Sequence, residues 1–428
     1  MSENILSSSQ HMDGIDDLGD IDDIDFLYDS HRLPRWIHTR INWEEHVSQL
    51  LHENRFMIEY RMSLTGFNNL KEILRLQLER NVSKSRSSQP IQLEHIVGIG
   101  LRYLAGGMNN DIQHVFGTSI TEAYNCVNCF LDAVIASEQL QIQLPKSADE
   151  VESIRKRFSK VSANGLMNGC VGAIDGFFQK TNCPWKSEVR NTDAYYSGHY
   201  ESYGLNCQAA CDMRLRFLYF GVVAPGKTND NVAYPRCEDM KKFIENLPLG
   251  LYVVGDAAYT LKENLLVPFT GSQKSDPDKD AFNFHLSQLR IRIEMTFGRF
   301  VRKFGILKRN LEGNLSGMSR ILVACSRLHN YIIDHDMSDM LDNDEDDELV
   351  IPLPDSPSGM GYLPIMFEPG GDDEYQFGKQ DGHYEMRNAI VNEIARNEYR
   401  RPDYNLIRRM REEEQTNEFE FGVEYYHV

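Results

Sequence analysis

No stretch of this 428-residue chain holds the ~18 consecutive apolar residues that a membrane span needs. Its first ten residues, MSENILSSSQ, lack the basic flank and apolar run of a secretory signal. From these absences we expect a soluble, intracellular protein without a membrane partner. Tryptophan is scarce, with three residues, and the eight cysteines are scattered through apolar stretches, unlike the close array of a disulfide-stapled scaffold. In a reducing compartment they read as buried thiols. No P-loop, G-x-G-x-x-G fingerprint or G-x-S-x-G elbow is present, which argues against NTPases, dehydrogenases and serine hydrolases. No internal repeat is visible either. What the chain does hold is 41% hydrophobic residues, enough for two or three cores.

The formal net charge of −19 argues at first sight against a nucleic-acid partner. Its distribution removes that objection. Eight acids and no base lie between Asp13 and Asp29, and nine acids with no Lys or Arg lie between Asp334 and Glu348. Setting these two runs aside leaves the remainder nearly neutral, so charge neither supports nor excludes DNA.

The pattern divides the chain into an acidic, disordered tail (1–34), a helical domain (35–168) and a domain of strands and helices (169–334). An acidic and Pro/Gly-rich connector (335–380) and a C-terminal helix with its tail (381–428) follow. Helical periodicity begins near Trp36, and a Ser-rich break, NVSKSRSSQP, interrupts it. Beyond the break, IQLEHIVGIGLRYLAGG, NNDIQHVFG and TSITEAYNCVNCFLDAVIAS read as three successive helices. Ser119 with Glu122 forms a capping box at the start of the third, and Ile120, Tyr124, Val127, Leu131 and Val134 give it one apolar stripe. Helix, tight turn and capped helix is the order of a helix-turn-helix, although a plain helical packing unit reads the same way. The would-be recognition helix, Ser119 to Ser137, carries no Lys or Arg for phosphate contact.

From Gly169 the expected fold is α/β, a mixed sheet covered by helices. CVGAID and LYVVGD are apolar strands that each end on a carboxylate, Asp175 and Asp256. LNCQAACD and LRFLYFGVV read as two further strands. Leu286, Leu289, Ile293, Phe297, Phe300 and Phe304 mark an amphipathic helix over Phe284 to Phe304, and a third carboxylate, Glu294, lies beside that stripe. Carboxylates at strand ends stand where open α/β sheets build their sites. Three that converge bind hard divalent cations, and two such ions ~3.5–4 Å apart activate water and stabilise the leaving oxygen in phosphoryl transfer. Each acid also has a plain reading: an Asp before Gly as a turn or cap residue, and Glu294 as the surface partner of Arg290 one turn earlier. The run Arg290, Arg292, Arg299, Arg302, Lys303, Lys308, Arg309 is the most positive stretch of the chain and suits a nucleic-acid site. Cys126-x-x-Cys129 lacks a second pair at zinc spacing, and Cys207 and Cys211, with His199 nearby, fit alternating core positions of a strand better than a zinc site.

At these positions the sequence resembles the PIF/Harbinger transposase family, including its HARBI-like descendants with a DDE endonuclease domain. The resemblance rests on VGAIDG, YYSGHYESYGLNCQAACD, VVAPGKTND, VVGDAAY followed by LLVPF, FNFHLSQLRIRIEMTFGRF and ILVACSRLHNYI, in that order, over about Gly169 to Asp334. It implies an RNase H-like fold, a catalytic and metal-binding triad of Asp175, Asp256 and Glu294, and divalent metal cofactors, Mg²⁺ or Mn²⁺, two per site. It also implies DNA as substrate, a Myb/SANT-like DNA-binding partner that assists nuclear entry, and a nuclear location alongside a cytoplasmic one. Homo-oligomers are compatible with it. Phe177-Phe178 stand where the family commonly has Thr-His, and Asn229-Asp230 where it has His-Asp. Asp212 and Asp230 also match pattern positions and read as structural or supporting residues.

The expected function is a transposase-like, metal-dependent DNA endonuclease that hydrolyses phosphodiesters, with strand transfer as an extension. The rival is a domesticated DNA-binding or regulatory protein that keeps the fold without cutting. A phosphoesterase for small substrates would need a closed pocket. Arg155-Lys156-Arg157 and Arg408-Arg409-Met410-Arg411 are weak nuclear-import candidates.

Overall fold

Local signals start the helices where the sequence places them. A computed structural model describes residues 39–79, 90–341 and 385–401, with side chains of 336–341 excepted. The acidic tail, most of the Ser-rich break, most of the connector and the chain after 401 lie outside the described residues, as does the basic group at 408–411. In the N-terminal part, α1 (Trp43–His52) is capped by Asn42, and α2 (Phe56–Tyr60) and α3 (Leu64–Leu78) follow. Trp43 stacks on Phe67, ring centroids 5.1 Å apart, and Tyr60 meets both rings, so this corner is held by aromatic contacts.

Next come α4 (Leu93–Leu104), α5 (Asn109–Phe116) and α6 (Ile120–Ala136). Gly117 ends α5 at φ +57°, a left-handed conformation open to glycine, and Ser119 then accepts the Glu122 N–H at 3.1 Å to start α6. The apolar stripe of α6 differs from expectation in one residue. Tyr124 is exposed, and the buried face runs through Ala123, Cys126, Val127, Phe130, Leu131 and Val134. Packing of α6 against α4 and a later helix selects that wider face. Helix α7 (Ala148–Val161), capped by Ser147, leads into the sheet.

Strand β1 (Cys170–Lys180) is the centre of a mixed sheet. On one side it pairs antiparallel with β3 (Ser202–Cys211), whose start forms a short hairpin with β2 (Tyr196–Ser197). Strand β4 (Phe217–Pro225) lies antiparallel on β3. Two short helices, α8 (Asp230–Ala233) and α9 (Glu238–Glu245), then carry the chain to β5 (Tyr252–Val254), which pairs parallel with β1. Strand β6 (Leu265–Leu266) is parallel to β5. The long helices α10 (Pro277–Lys303) and α11 (Leu315–Leu341) follow, and α12 (Glu385–Arg396) packs on α10. Helix α11 runs into the segment that the sequence assigns to the connector.

Both α7 and α10 pack against β1, and α11 joins β4 to α6. The described residues from Arg40 onward therefore form one compact unit. One expectation is corrected here. Strand β1 does not stop at Asp175 but continues to Lys180, because Gly176 through Lys180 keep pairing with β3, Gln179 opposite Leu205. Asp175 is thus a mid-strand residue, while Asp256 follows β5 as expected. Of the eight cysteines, six are buried, but Cys129 and Cys183 are exposed, so the uniform reading as buried thiols does not hold.

Candidate active site

Alternation along β1 decides what each residue near Asp175 meets. Asp175 and Phe177 face α10: the Asp175 carboxylate is 3.9 Å from the Arg290 guanidinium, and the Phe177 ring packs on Phe297 and Phe300. Gly176 points the other way, where a Cβ would overlap the Asp230 carboxylate, so the close approach there requires glycine. Phe178 shares that second face and stacks on Tyr200, with centroids 4.1 Å apart. The two phenylalanines thus have separate tasks. One fixes α10 a turn beyond Glu294, and the other builds an aromatic wall beside the acids.

Asp256 arrives from the neighbouring parallel strand. Its Oδ1 accepts the Ala258 N–H at 2.8 Å, just as Asp175 Oδ1 accepts the Gly176 N–H at 2.8 Å. These short local bonds hold both carboxylates in fixed orientations. Glu294 comes from α10 and is bound to Arg290 at 2.6 Å, one helical turn away. Arg290 therefore touches two of the three predicted acids at once.

The electrostatics follow from this crowding. Burial raises the Asp175 carboxyl well above its ordinary range, and the charges of Asp256 and Asp230 raise it further, against the pull of Arg290. Burial likewise raises Asp256; Asp230 and Glu294 add to the shift, while the Ala258 N–H and Arg290 oppose it. Asp175, Asp256 and Glu294 are accordingly brought into one electrostatic cluster, and Asp230 joins it.

Asp230 has more than a local structural role. Its Oδ1 accepts from Asn206 at 2.9 Å and from Gln208 at 2.7 Å, and the fully buried Gln208 in turn accepts the Tyr259 hydroxyl at 2.8 Å. The loop after Asp256 is tied a second time to α8 through Thr260 and Asn231, at 2.8 Å. The sequence named Arg290 only as a partner of Glu294 and a member of the basic run, and did not single out Asn206, Gln208 or Tyr259. The available signal was two amides, Asn206 and Gln208, on one face of an otherwise apolar strand. Asp212, by contrast, is structural: its Oδ1 accepts the Arg216 N–H at 2.9 Å and closes the β3–β4 turn.

The basic run also divides. Arg292 is buried beside Met295 and is not part of a solvated cationic face, and the Lys303 ammonium donates to the Arg61 carbonyl at 2.9 Å. Arg299, Arg302, Lys308 and Arg309 are exposed at and beyond the C-terminal end of α10.

Carboxylate oxygens, partly buried and mutually repelling, are the donor set that a hard divalent cation satisfies. The residues fit such an ion in kind. Among the described residues, however, no three His, Cys, Asp or Glu side chains stand close enough to hold one ion as they are arranged. Cys126 and Cys129 lie on different sides of α6, one buried and one exposed, which separates them as ligands.

Residues 174–330 match the family described as DDE superfamily endonuclease. The chain is also similar to the proteins named "Putative nuclease HARBI1" from Rattus norvegicus and Mus musculus, at 24% and 25% identity over 287 residues, covering 65% of this chain and 79% of each relative. "Protein ALP1-like" from Arabidopsis thaliana is 28% identical over 269 residues, covering 59% of this chain and 64% of that protein. No solved structure matches. The matched segment starts one residue before Asp175 and contains Asp256 and Glu294.

Proposed function

We propose that this chain, similar over residues 174–330 to DDE superfamily endonucleases, is a Harbinger-type DNA endonuclease dependent on a divalent metal, with Asp175, Asp256 and Glu294 as its catalytic and metal-binding acids. The observation that carries this reading is the pair of crowded carboxylates, Asp175 on β1 and Asp256 just after the parallel strand β5, with Glu294 on α10 close enough for its charge to act on Asp256. Three antiparallel strands continued by two parallel ones across β1 support an RNase H-like framework for that pair.

Mg²⁺ or Mn²⁺ held by these acids would supply a lowered pKa for the attacking water or 3′-hydroxyl and charge stabilisation for the leaving oxygen. The protein's own contribution is positional. The Gly176 and Ala258 N–H groups fix the Asp175 and Asp256 oxygens, and the Gln208 bridge keeps Asp230 and the Asp256 loop in register. Arg299, Arg302, Lys308 and Arg309 offer a cationic approach for the phosphate backbone. No residue is required to form a covalent intermediate.

For target recognition we propose a separate Myb/SANT-like protein, which would also favour a nuclear location. The support is the surface of α6. Helix α6 bears no cation, and its Asn128 and Asp132 are engaged by Arg320. A second reading, a silent DNA-binding protein, draws on the engagement of Glu294 by Arg290.

Supercoiled plasmid incubated with the purified protein in Mg²⁺, Mn²⁺ or EDTA separates the readings. The nuclease reading expects metal-dependent nicking that Asp175→Asn and Glu294→Gln both abolish. Absence of nicking in either metal, with a Myb/SANT-like partner present, would leave the silent reading.

A further inference from the structure

Arg290 is a cation shared by three acids of the cluster. It lies 2.6 Å from Glu294 and 3.9 Å from Asp175, and its charge also reaches Asp256. Asp175, Asp230, Asp256 and Glu294 outnumber it four to one. A single guanidinium therefore leaves the cluster short of positive charge, the condition a divalent ion corrects.

The Arg290–Glu294 pair is built to be given up. The arginine precedes the glutamate by four residues, the less favourable order for an ion pair along a helix. Glu294 is 46% exposed, and a pair with that much solvent is weak and easily exchanged. Arg290 is less exposed, at 27%, and its guanidinium also lies 3.9 Å from Asp175. Once Glu294 leaves, a planar fork of N–H donors stands open next to the buried acids. That fork matches two phosphate oxygens, which a lysine ammonium does not.

We propose that Arg290 exchanges partners: it neutralises Glu294 in the metal-free protein, releases it when a divalent cation enters, and then binds two oxygens of the target phosphodiester through its fork. This rests on the nuclease reading and assigns Arg290 a substrate-positioning task within it. The arrangement makes metal entry and phosphate capture interdependent, because the same arginine takes part in both.

The test uses the full chain stripped with EDTA. Mn²⁺ affinity is measured by isothermal titration calorimetry, and affinity for a short duplex by fluorescence anisotropy in Ca²⁺, for the parent, Arg290→Met and Arg290→Lys. Removing the competitor for Glu294 should tighten Mn²⁺ about fivefold in Arg290→Met while weakening DNA about fivefold. Arg290→Lys keeps the charge but not the fork, and should resemble the parent in Mn²⁺ affinity while binding DNA more weakly. A merely structural arginine would move both affinities down together with the melting temperature. Unchanged or weaker Mn²⁺ binding by a folded Arg290→Met overturns the exchange. Should that variant not fold, Glu294→Gln carries the test: by releasing Arg290 without metal it should raise DNA affinity in EDTA, and no rise overturns the proposal. A parent that binds no Mn²⁺ at all overturns the metal-dependent reading and this one with it; Mn²⁺ binding without the opposed shifts overturns this one alone.

Discussion

The Tyr259 hydroxyl donates to the Gln208 amide oxygen at 2.8 Å. Through the other end of that amide, which donates to Asp230 at 2.7 Å, the loop carrying Asp256 is linked to the fourth acid of the cluster. Gln208 is fully buried, so neither bond has water as a substitute. Gln208→Glu would replace the donor facing Asp230 by a like charge. We expect a loss of about 2–4 kcal/mol at pH 8 in urea unfolding, shrinking as pH falls and the new carboxyl takes up a proton and donates again. A cost under about 0.5 kcal/mol at pH 8 would mean that the bridge does not hold the loop.

Asp256→Asn should separate stability from catalysis. The folded Asp256 carboxyl is raised above its unfolded value, so it favours folding where it is protonated, and that contribution is lost as pH rises through the folded value. An amide keeps the bond from the Ala258 N–H without the charge. In EDTA at pH 8 the variant should therefore melt about 1–2 °C above the parent, with the gap closing towards pH 4. Plasmid nicking should vanish in the same preparation. A melting point lowered at every pH would show that the charge contributes to the metal-free fold rather than straining it.

Much of this was legible in the sequence because it is local. The Ser119 cap, the α10 stripe from Leu286 to Phe304 and the long strands β3 and β4 are written in neighbouring residues. Asp175, Asp256 and Glu294 could be selected because strand patterns and motif order locate them without knowledge of packing. The elements that escaped are set by distant partners. Strand β1 continues past Asp175 because β3 offers it a ladder, Tyr124 is turned outward by the packing of α6, and Arg292 is drawn into the core beside β3. Arg290 looked like half of a surface pair because only the fold brings Asp175 to its other side.

Phe177 and Phe178 are neighbours with opposite orientations, and their truncations should differ accordingly. Phe177 packs on Phe297 and Phe300 at 5.1 and 5.7 Å between centroids, so Phe177→Ala should cost about 2–3 kcal/mol by opening the contact between β1 and α10. Phe178→Ala loses chiefly its stack on Tyr200, at about 1 kcal/mol. Equal losses in urea unfolding would contradict the division of labour. Phe177→Thr should lie near the alanine value, because the surrounding Phe297 and Phe300 rings offer the new hydroxyl no hydrogen-bond partner.

His329 should set the acid limit of the fold. It is buried between Phe217 and Phe300, and one ring nitrogen, Nε2, donates to the Leu215 carbonyl at 2.9 Å. Burial lowers its pKa from 6.5 to about 4, and the nearby Arg299, Lys303 and Arg216 charges act in the same direction. A histidine with a depressed folded value takes up its proton more readily when unfolded. Its contribution is therefore complete above pH 6.5, and is lost as pH falls towards about 4. Across that window the difference amounts to about 3 kcal/mol. His329→Gln retains an N–H donor for Leu215 but does not titrate. Urea unfolding of both proteins at steps from pH 7.5 to 4 should show the parent losing about 3 kcal/mol more than the variant, since the carboxylates that titrate below pH 5 are common to both. Parallel stability curves would place the imidazole in contact with water in the folded state and remove it as the acid-sensitive group.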